Sequence, residues 1–400
     1  MRGAFYCQYA SSSICFFAPE KNLGFYNDRI IMVQHQKLKR DVRPKLGFTK
    51  ISERIIFTLN GRSALILALR NLGIKNKSKI ICPAFICCTI TDILNKNGFE
   101  VEYFDLKPNL QISGKVINRL LQQSAEEYSA LIVPHYFGFC LSDLNELRVI
   151  CDRFGIMLIE DFCHSFLSFD MQHFRGDAAI FSFRKTFNLP GGGIIFRDKD
   201  ICIKESTLSV SWTSNAAKSK TKRIQDLLVR VSINPYSIYF DFIRALLSKL
   251  RKLVLGDWAK WQNRVVLSKQ LKKILWDADS LAQIVLYRKR NYAFYRKYFS
   301  PIICSSSSAD HSVPQVFIVC DESRELCRHL RNKGYDVYTW PGFELPRDVK
   351  RNKDSFPNSL YLSLHNVCLP VNEAFNKNLV RYILSSKFYK KRPSGLDNQV

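Results

Sequence analysis

Apolar and polar positions alternate along the middle of the chain with two periods. Short apolar runs at Lys79 to Pro83, Val101 to Phe104, Leu131 to His135, Ile156 to Ile159, Ala178 to Phe181 and Ile194 to Phe196 read as strands buried on both faces. Between them the apolar residues recur at helical spacing. Ala64, Leu65, Leu67, Ala68, Leu69 and Leu72 form one such pattern, ended by Gly73, and Cys88 to Leu94 and Leu144 to Phe154 form two more. Strand and helix signals in alternation predict an α/β domain built on a mostly parallel sheet with helices on both faces.

The chemistry gathers at strand ends. The run Ile156-Met157-Leu158-Ile159 finishes on two carboxylates, Glu160 and Asp161, and His164 follows. The run Ala178 to Phe181 leads into Ser182-Phe183-Arg184-Lys185, and the triple glycine Gly191 to Gly193 opens the next strand. Open parallel sheets keep their ligands at the carboxyl ends of their strands. An acid, a histidine, a hydroxyl and a lysine at such ends suit a pyridoxal phosphate pocket, which needs an amine for the Schiff base, an acid for the ring nitrogen and donors for the phosphate. Taken singly, each has a plainer reading: a cap, a packed histidine, a solvated lysine, a flexible turn. Asn60 and Gly61 precede the first helix, whose start offers Ser63 and unpaired amides to a phosphate, or is simply a capped amphipathic helix.

Later segments change character. Residues 206 to 275 are basic, and SIYFDFIRALLSKLRKLVLGDWAKW, within 237 to 261, sets apolar clusters and cations at helical spacing. Such a helix packs on the body or on a second subunit, in preference to lying on an anionic membrane. Beyond it, a helix over Asp279 to Tyr298, a strand over Pro314 to Val319, a helix over Asp321 to Asn332 and a strand over Asp336 to Trp340 predict a smaller α+β domain. Ser305 to Ser308 reads as an exposed loop, and the tail from Lys387 as disordered. The expected divisions are 1–50 as an arm, 51–205 as the large domain, 206–275 as a basic helical connection, 276–386 as the small domain and 387–400 as a tail.

Composition narrows this picture without choosing a function. Four hundred residues, 46% hydrophobic, suffice for a large core. Thirteen scattered cysteines with no CxxC argue against a disulfide framework or a zinc site and for a reducing compartment. The amino terminus is too polar for a signal peptide, and no apolar window is long enough to span a bilayer, so the cytoplasm is expected. A net charge of +25 favours anionic partners. No nucleic-acid motif stands beside it, and the charge reads at most as attraction for a phosphate-bearing substrate, a generally basic composition explaining it equally well.

Set in order, the motifs resemble the DegT/DnrJ/EryC1/StrS family of pyridoxal phosphate-dependent aminotransferases, which act on nucleotide-linked keto sugars. The resemblance spans about residues 55 to 385. It is carried by Asn60-Gly61-Arg62-Ser63-Ala64-Leu65, Pro83-Ala84-Phe85, Val133-Pro134-His135-Tyr136-Phe137-Gly138 and Ile159-Glu160-Asp161-Phe162-Cys163-His164. Gly176-Asp177, Phe181-Ser182-Phe183-Arg184-Lys185, Pro190-Gly191-Gly192-Gly193 and Leu369-Pro370-Val371 continue it.

The resemblance implies a fold-type-I aminotransferase with a mostly parallel seven-stranded sheet and a smaller α+β carboxyl-terminal domain. It implies Lys185 as the catalytic lysine that forms the internal aldimine, and Gly61, Arg62, Ser63, Phe85, Asp161, His164 and Ser182 as further coenzyme-binding residues, with no metal. The family's usual ring-facing aromatic falls on Cys87, with Phe85 as the nearby candidate. A lysine at position 185 favours amino transfer over the family's dehydratase branch, which has histidine there. The implied partners are an amino acid donor, glutamate by resemblance, a nucleotide-linked keto-deoxysugar acceptor and a second copy of the chain as a homodimer. The expected setting is surface polysaccharide or secondary metabolite assembly. Asn372-Glu373 stands where the family commonly has His-Gln. A catalytically weak homologue, and a basic membrane-surface or nucleic-acid binding protein, are the alternatives.

Overall fold

The computed structural model describes residues 54–187, 189–198, 277–301, 312–341 and 345–387, the strands at 209–213 and 264–268, and residues 271, 274 and 275. Seven strands form the central sheet: β1 (Ile56–Thr58), β2 (Lys79–Pro83), β3 (Glu100–Phe104), β4 (Tyr128–Pro134), β5 (Met157–Asp161), β6 (Ala178–Ser182) and β7 (Gly192–Phe196). Their spatial order is β1-β7-β6-β5-β4-β2-β3. The five strands from β6 to β3 run parallel, while β7 lies antiparallel to both β6 and β1. The expected mostly parallel seven-stranded sheet is present, and each apolar run noted above lies on a strand.

Both faces are covered, which is why the runs read as continuous and not alternating. On one face, α1 (Gly61–Asn71) and α2 (Cys88–Lys96) bury Leu65, Leu69, Ile90 and Leu94 against Ile80, Ile132, Ile159 and Ile180. On the other, α3 (Gly114–Ser124) and α4 (Leu144–Phe154) bury Ile117, Leu121, Leu147 and Ile150 against Ile81, Leu131, Val133 and Leu158. Local chemistry sets the helix ends. Asp143 accepts from the amides of Asn145 and Glu146, and Gly155 takes φ +66° to end α4.

The one-turn helix α5 (Phe183–Phe187) follows β6 without a gap. In the flanks of the basic segment, β8 (Ser209–Thr213) and β9 (Arg264–Ser268) pair in parallel. The helix expected over 238–261 lies outside the described residues, as do the arm over 1–50, the loop over 305–308 and the tail over 388–400. The long helix α6 (Ala278–Arg296) starts at Asp277, whose carboxylate accepts from the amides of Asp279 and Ser280.

After α6 come β10 (Val316–Cys320), α7 (Leu326–Asn332), α8 (Arg347–Arg351), α9 (Pro357–His365), β11 (Asn366–Pro370) and α10 (Asn378–Leu384). Strands β10 and β11 pair antiparallel. The strand expected over Asp336 to Trp340 is only a single bridge, Tyr338 to Cys368. The partner of β10 is β11, a strand not anticipated over its full length. Asp105, just past β3, receives the amides of Asn358 and Ser359 at 2.9 Å each, so the central sheet supplies the anion at the start of α9.

Candidate active site

Parallel pairing brings the ends of β4, β5 and β6 side by side, with Pro134 opposite Asp161 and Asp161 opposite Ile180. Asp161 is 8% exposed, and its Oδ1 accepts from the Cys163 amide at 2.8 Å, which fixes the carboxylate's direction. The chain then turns so that His164 meets Lys185, with Nε2 and Nζ 2.9 Å apart. Burial, with the Lys185 charge added, holds His164 well below the usual histidine range. A neutral ring accepts at Nε2, and the lysine donates.

Asp161, His164 and Lys185 line one partly open cavity together with Cys87, Cys163 and Trp340. The Cys87 thiol is lowered to about 5 by a hydrogen bond with Cys88 and then by Lys185, against the effect of burial.

Beside this cavity lies the start of α1. Gly61 is buried there, and a Cβ on it would come within 2.8 Å of Cys163 Sγ and 3.2 Å of Ser182 Cβ. A side chain on Gly192 would meet the Asn60 carbonyl and lie 2.7 Å from the Gly61 nitrogen. Two glycines thus allow the helix start to press onto the ends of β6 and β7, with the Ser182 hydroxyl alongside. Asn60 Oδ1 takes the amides of Arg62 at 3.0 Å and Ser63 at 3.1 Å, so those two donors serve the cap. Arg62 is exposed.

The sequence reading placed Phe85 in the site, and the structure does not bring it to the cavity. Phe85 is 1% exposed, its carbonyl accepts from the Tyr136 hydroxyl at 2.6 Å, and its ring packs on Trp340 at 5.0 Å. Cys87, two residues on, lines the cavity instead, because the backbone turns between them to begin α2.

Sequence reasoning also missed Trp340. Its indole reaches the cavity from beyond α7, 4.8 Å from the His164 ring, and its backbone is held at both polar atoms by Asn366. A second omission is the pair His135 and Glu160, with Nε2 to Oε2 at 2.8 Å and both side chains almost fully buried. Glu160 Oε1 also receives the amides of Arg175 and Gly176. Burial opposes the charged imidazole, but Cys140 and Glu160 together raise His135 to about 10. The pair supports the turn after β4 from beneath. Among the described residues no cluster of side chains could hold a metal ion.

An amine and a fixed carboxylate on one cavity, beside a helix start and a hydroxyl, suit a small aromatic aldehyde carrying a phosphate. Similarity to known proteins is confined to sequence segments and to the fold. Residues 45–234 match the model of the DegT/DnrJ/EryC1/StrS aminotransferase family. GDP-perosamine synthase from Vibrio cholerae is 28% identical over 151 residues, which cover 36% of this chain and 40% of that relative. UDP-4-amino-4,6-dideoxy-N-acetyl-beta-L-altrosamine transaminase from Campylobacter jejuni is 26% identical over 186 residues, 43% of this chain and 49% of that one. These matches therefore span less than half of either relative. A crystal structure of a DegT DnrJ EryC1 StrS aminotransferase from Brucella abortus shares the fold with a TM-score of 0.57 at 16% identity, covering 85% of this chain and 90% of that one. The PLP form of a putative sugar aminotransferase from Streptococcus pneumoniae gives 0.57 at 12% identity, covering 84% and 87%.

Proposed function

We propose that this chain, which belongs to the DegT/DnrJ/EryC1/StrS aminotransferase family, moves an amino group from an amino acid to a nucleotide-linked keto-deoxysugar with pyridoxal phosphate as coenzyme. The observation that carries the reading is the placement of Lys185 and Asp161 on one cavity with His164 beside the lysine. The names of the two relatives support a nucleotide-linked amino sugar as the product class. Glutamate as donor, a homodimer, a cytoplasmic setting and a role in surface polysaccharide or secondary metabolite assembly belong to the same reading. So does attraction of the +25 chain for a phosphate-bearing substrate.

Bound pyridoxal phosphate supplies an electron sink for the pair left when the donor's alpha carbon loses a proton. Lys185 would attach it through Nζ and, once the donor's amine has displaced that nitrogen, would act as the base that accepts the alpha-carbon proton at Nζ. Neutral His164 accepts a hydrogen bond from Nζ and so holds the amine over the cavity without adding charge. Asp161, with one oxygen tied to the Cys163 amide, would hold the coenzyme's ring nitrogen in its protonated form. Ser182 and the Gly61 end of the helix start would take the phosphate, since the Arg62 and Ser63 amides serve the Asn60 cap. Trp340 and Cys163 form part of the cavity wall.

Cys87 in place of a ring-facing aromatic favours a second reading, a weakly active homologue that binds the same ligands. One experiment separates the two. Coenzyme-loaded protein is mixed with L-glutamate, and the visible absorbance is expected to give way to a near-ultraviolet band. A panel of nucleotide keto-deoxysugars is then added, and at least one should restore the visible band. A visible band that glutamate leaves unchanged would reject the donor, and one that no keto sugar restores would favour the weak homologue.

A further inference from the structure

A one-turn helix cannot satisfy the carbonyls at its own carboxyl end. Helix α5 is such a helix, and Lys185 sits at its centre. Its open carbonyls are met by two side chains from far along the chain. Gln315 Nε2 donates to the Lys185 carbonyl at 3.1 Å, and Arg288 Nη2 donates to the Thr186 carbonyl at 2.7 Å.

Both donors are themselves held. Arg288 is 5% exposed on α6. The Gln315 amide donates to the Phe137 carbonyl at 2.8 Å, in a turn where Phe137 takes φ +57° and Gly138 φ +100°. A Cβ at Gly138 would strike the Val313 carbonyl oxygen and lie 2.7 Å from the Gln315 nitrogen, so the turn and residues 313–315 meet backbone to backbone. Ser168 Oγ completes the lock, accepting from the Val313 amide at 2.8 Å and donating to the Gly138 carbonyl at 2.7 Å. A residue held in the left-handed region persists only when its surroundings impose it. Here the imposed turn aims Gln315 at the lysine's own peptide.

We infer that Gln315 and Arg288 are positioning residues for Lys185, capping the helix that carries it and thereby setting where Nζ stands relative to His164 and Asp161. The inference rests on Lys185 being the residue that attaches the coenzyme. Two successive carbonyls gripped by two separate elements fix both the register and the tilt of a single turn, which one hydrogen bond would not. Arg288 Nε and the buried Oε1 of half-buried Gln315 have no hydrogen-bond partner among the described residues, while the other end of each polar group is engaged with this turn.

The test uses the full chain with Gln315→Leu, Gln315→Glu, Arg288→Met and Arg288→Lys. It measures pyridoxal phosphate binding by visible absorbance, the pH midpoint of that absorbance, and the melting temperature of the coenzyme-free protein. Gln315→Glu keeps the size but removes the donor, and Arg288→Lys keeps a donor. Loss of the Gln315 donor is expected to weaken coenzyme binding about tenfold and to shift the pH midpoint, with the melting temperature nearly unchanged. Arg288→Lys should stay near wild type, and Arg288→Met should follow Gln315→Leu; if Arg288→Met fails to fold, the Gln315 pair decides. Wild-type binding and an unmoved pH midpoint in both Gln315 variants would overturn the inference, as would losses that merely track melting temperature. Wild-type protein that develops no visible band would instead overturn the functional reading beneath it.

Discussion

At position 160 the chain buries a carboxylate with no exposure at all, and it can do so because His135 and two backbone amides meet it. Removing one side of such a pair leaves the other uncompensated, so Glu160→Gln is expected to destabilise the fold by about 3 kcal/mol in urea or thermal melts. The pH dependence has a definite sign. His135 is raised from 6.5 to about 10, so its contribution is complete below about pH 6.5 and is lost as pH rises through about 10. His164 is shifted the other way, so the stability it contributes is complete above about 6.5 and is lost at lower pH. Melts across pH 4 to 10 should therefore show a shallower alkaline fall in Glu160→Gln and a shallower acid fall in His164→Gln, each relative to wild type. Equal slopes in all three proteins would refute the assigned environments. At this scale the sequence was most legible where the chemistry was local. Asp161, His164, Ser182 and Lys185 lie within one stretch at strand ends. The partner of Glu160 was not legible, because His135 lies just past the end of the neighbouring strand and only the β4 to β5 pairing brings the two together.

Elements carry the next part of the site. Helix α1 starts against the ends of β6 and β7 only because Gly61 and Gly192 have no side chains in the way. Gly192→Ala places a methyl against the Asn60 carbonyl, so the helix start must back away from Ser182. The expected cost is about 1–3 kcal/mol of stability, with weaker coenzyme binding alongside. Equilibrium melts and a coenzyme titration of the variant check this, and unchanged values in both would mean the close approach is not required. Apolar runs buried on two faces read clearly as strands, because a parallel sheet leaves no polar face to blur them. The triple glycine read as a flexible turn in isolation, yet two of its three residues are buried strand positions where helix and sheet touch. Asp336 to Trp340 had strand-like composition, but β10 pairs with β11 and leaves that stretch one bridge. Strand composition reports a half-buried extended segment, not which neighbour it finds.

Across the whole molecule, the site is completed from the carboxyl-terminal third. Trp340 reaches the cavity, Gln315 and Arg288 grip the turn around Lys185, and α9 starts on Asp105 of the central sheet. None of these contacts has a periodic signature, since each joins residues more than 100 positions apart, and that is why the reading of the first 200 residues named the chemistry but not its supports. Phe85 lies off the lining of this cavity. Its aromatic character was visible, while the turn that buries it and turns Cys87 inward was not. No described helix is long and apolar enough to cross a membrane. The central claim, that the coenzyme attaches to Lys185 in the cavity shared with Asp161, has one direct measurement. Coenzyme-loaded protein is reduced with borohydride, digested and mapped by mass spectrometry. A stoichiometric phosphopyridoxyl label on Lys185, absent from Lys185→Ala, is the predicted result. Label distributed over surface lysines, or a label that persists in Lys185→Ala, would contradict it.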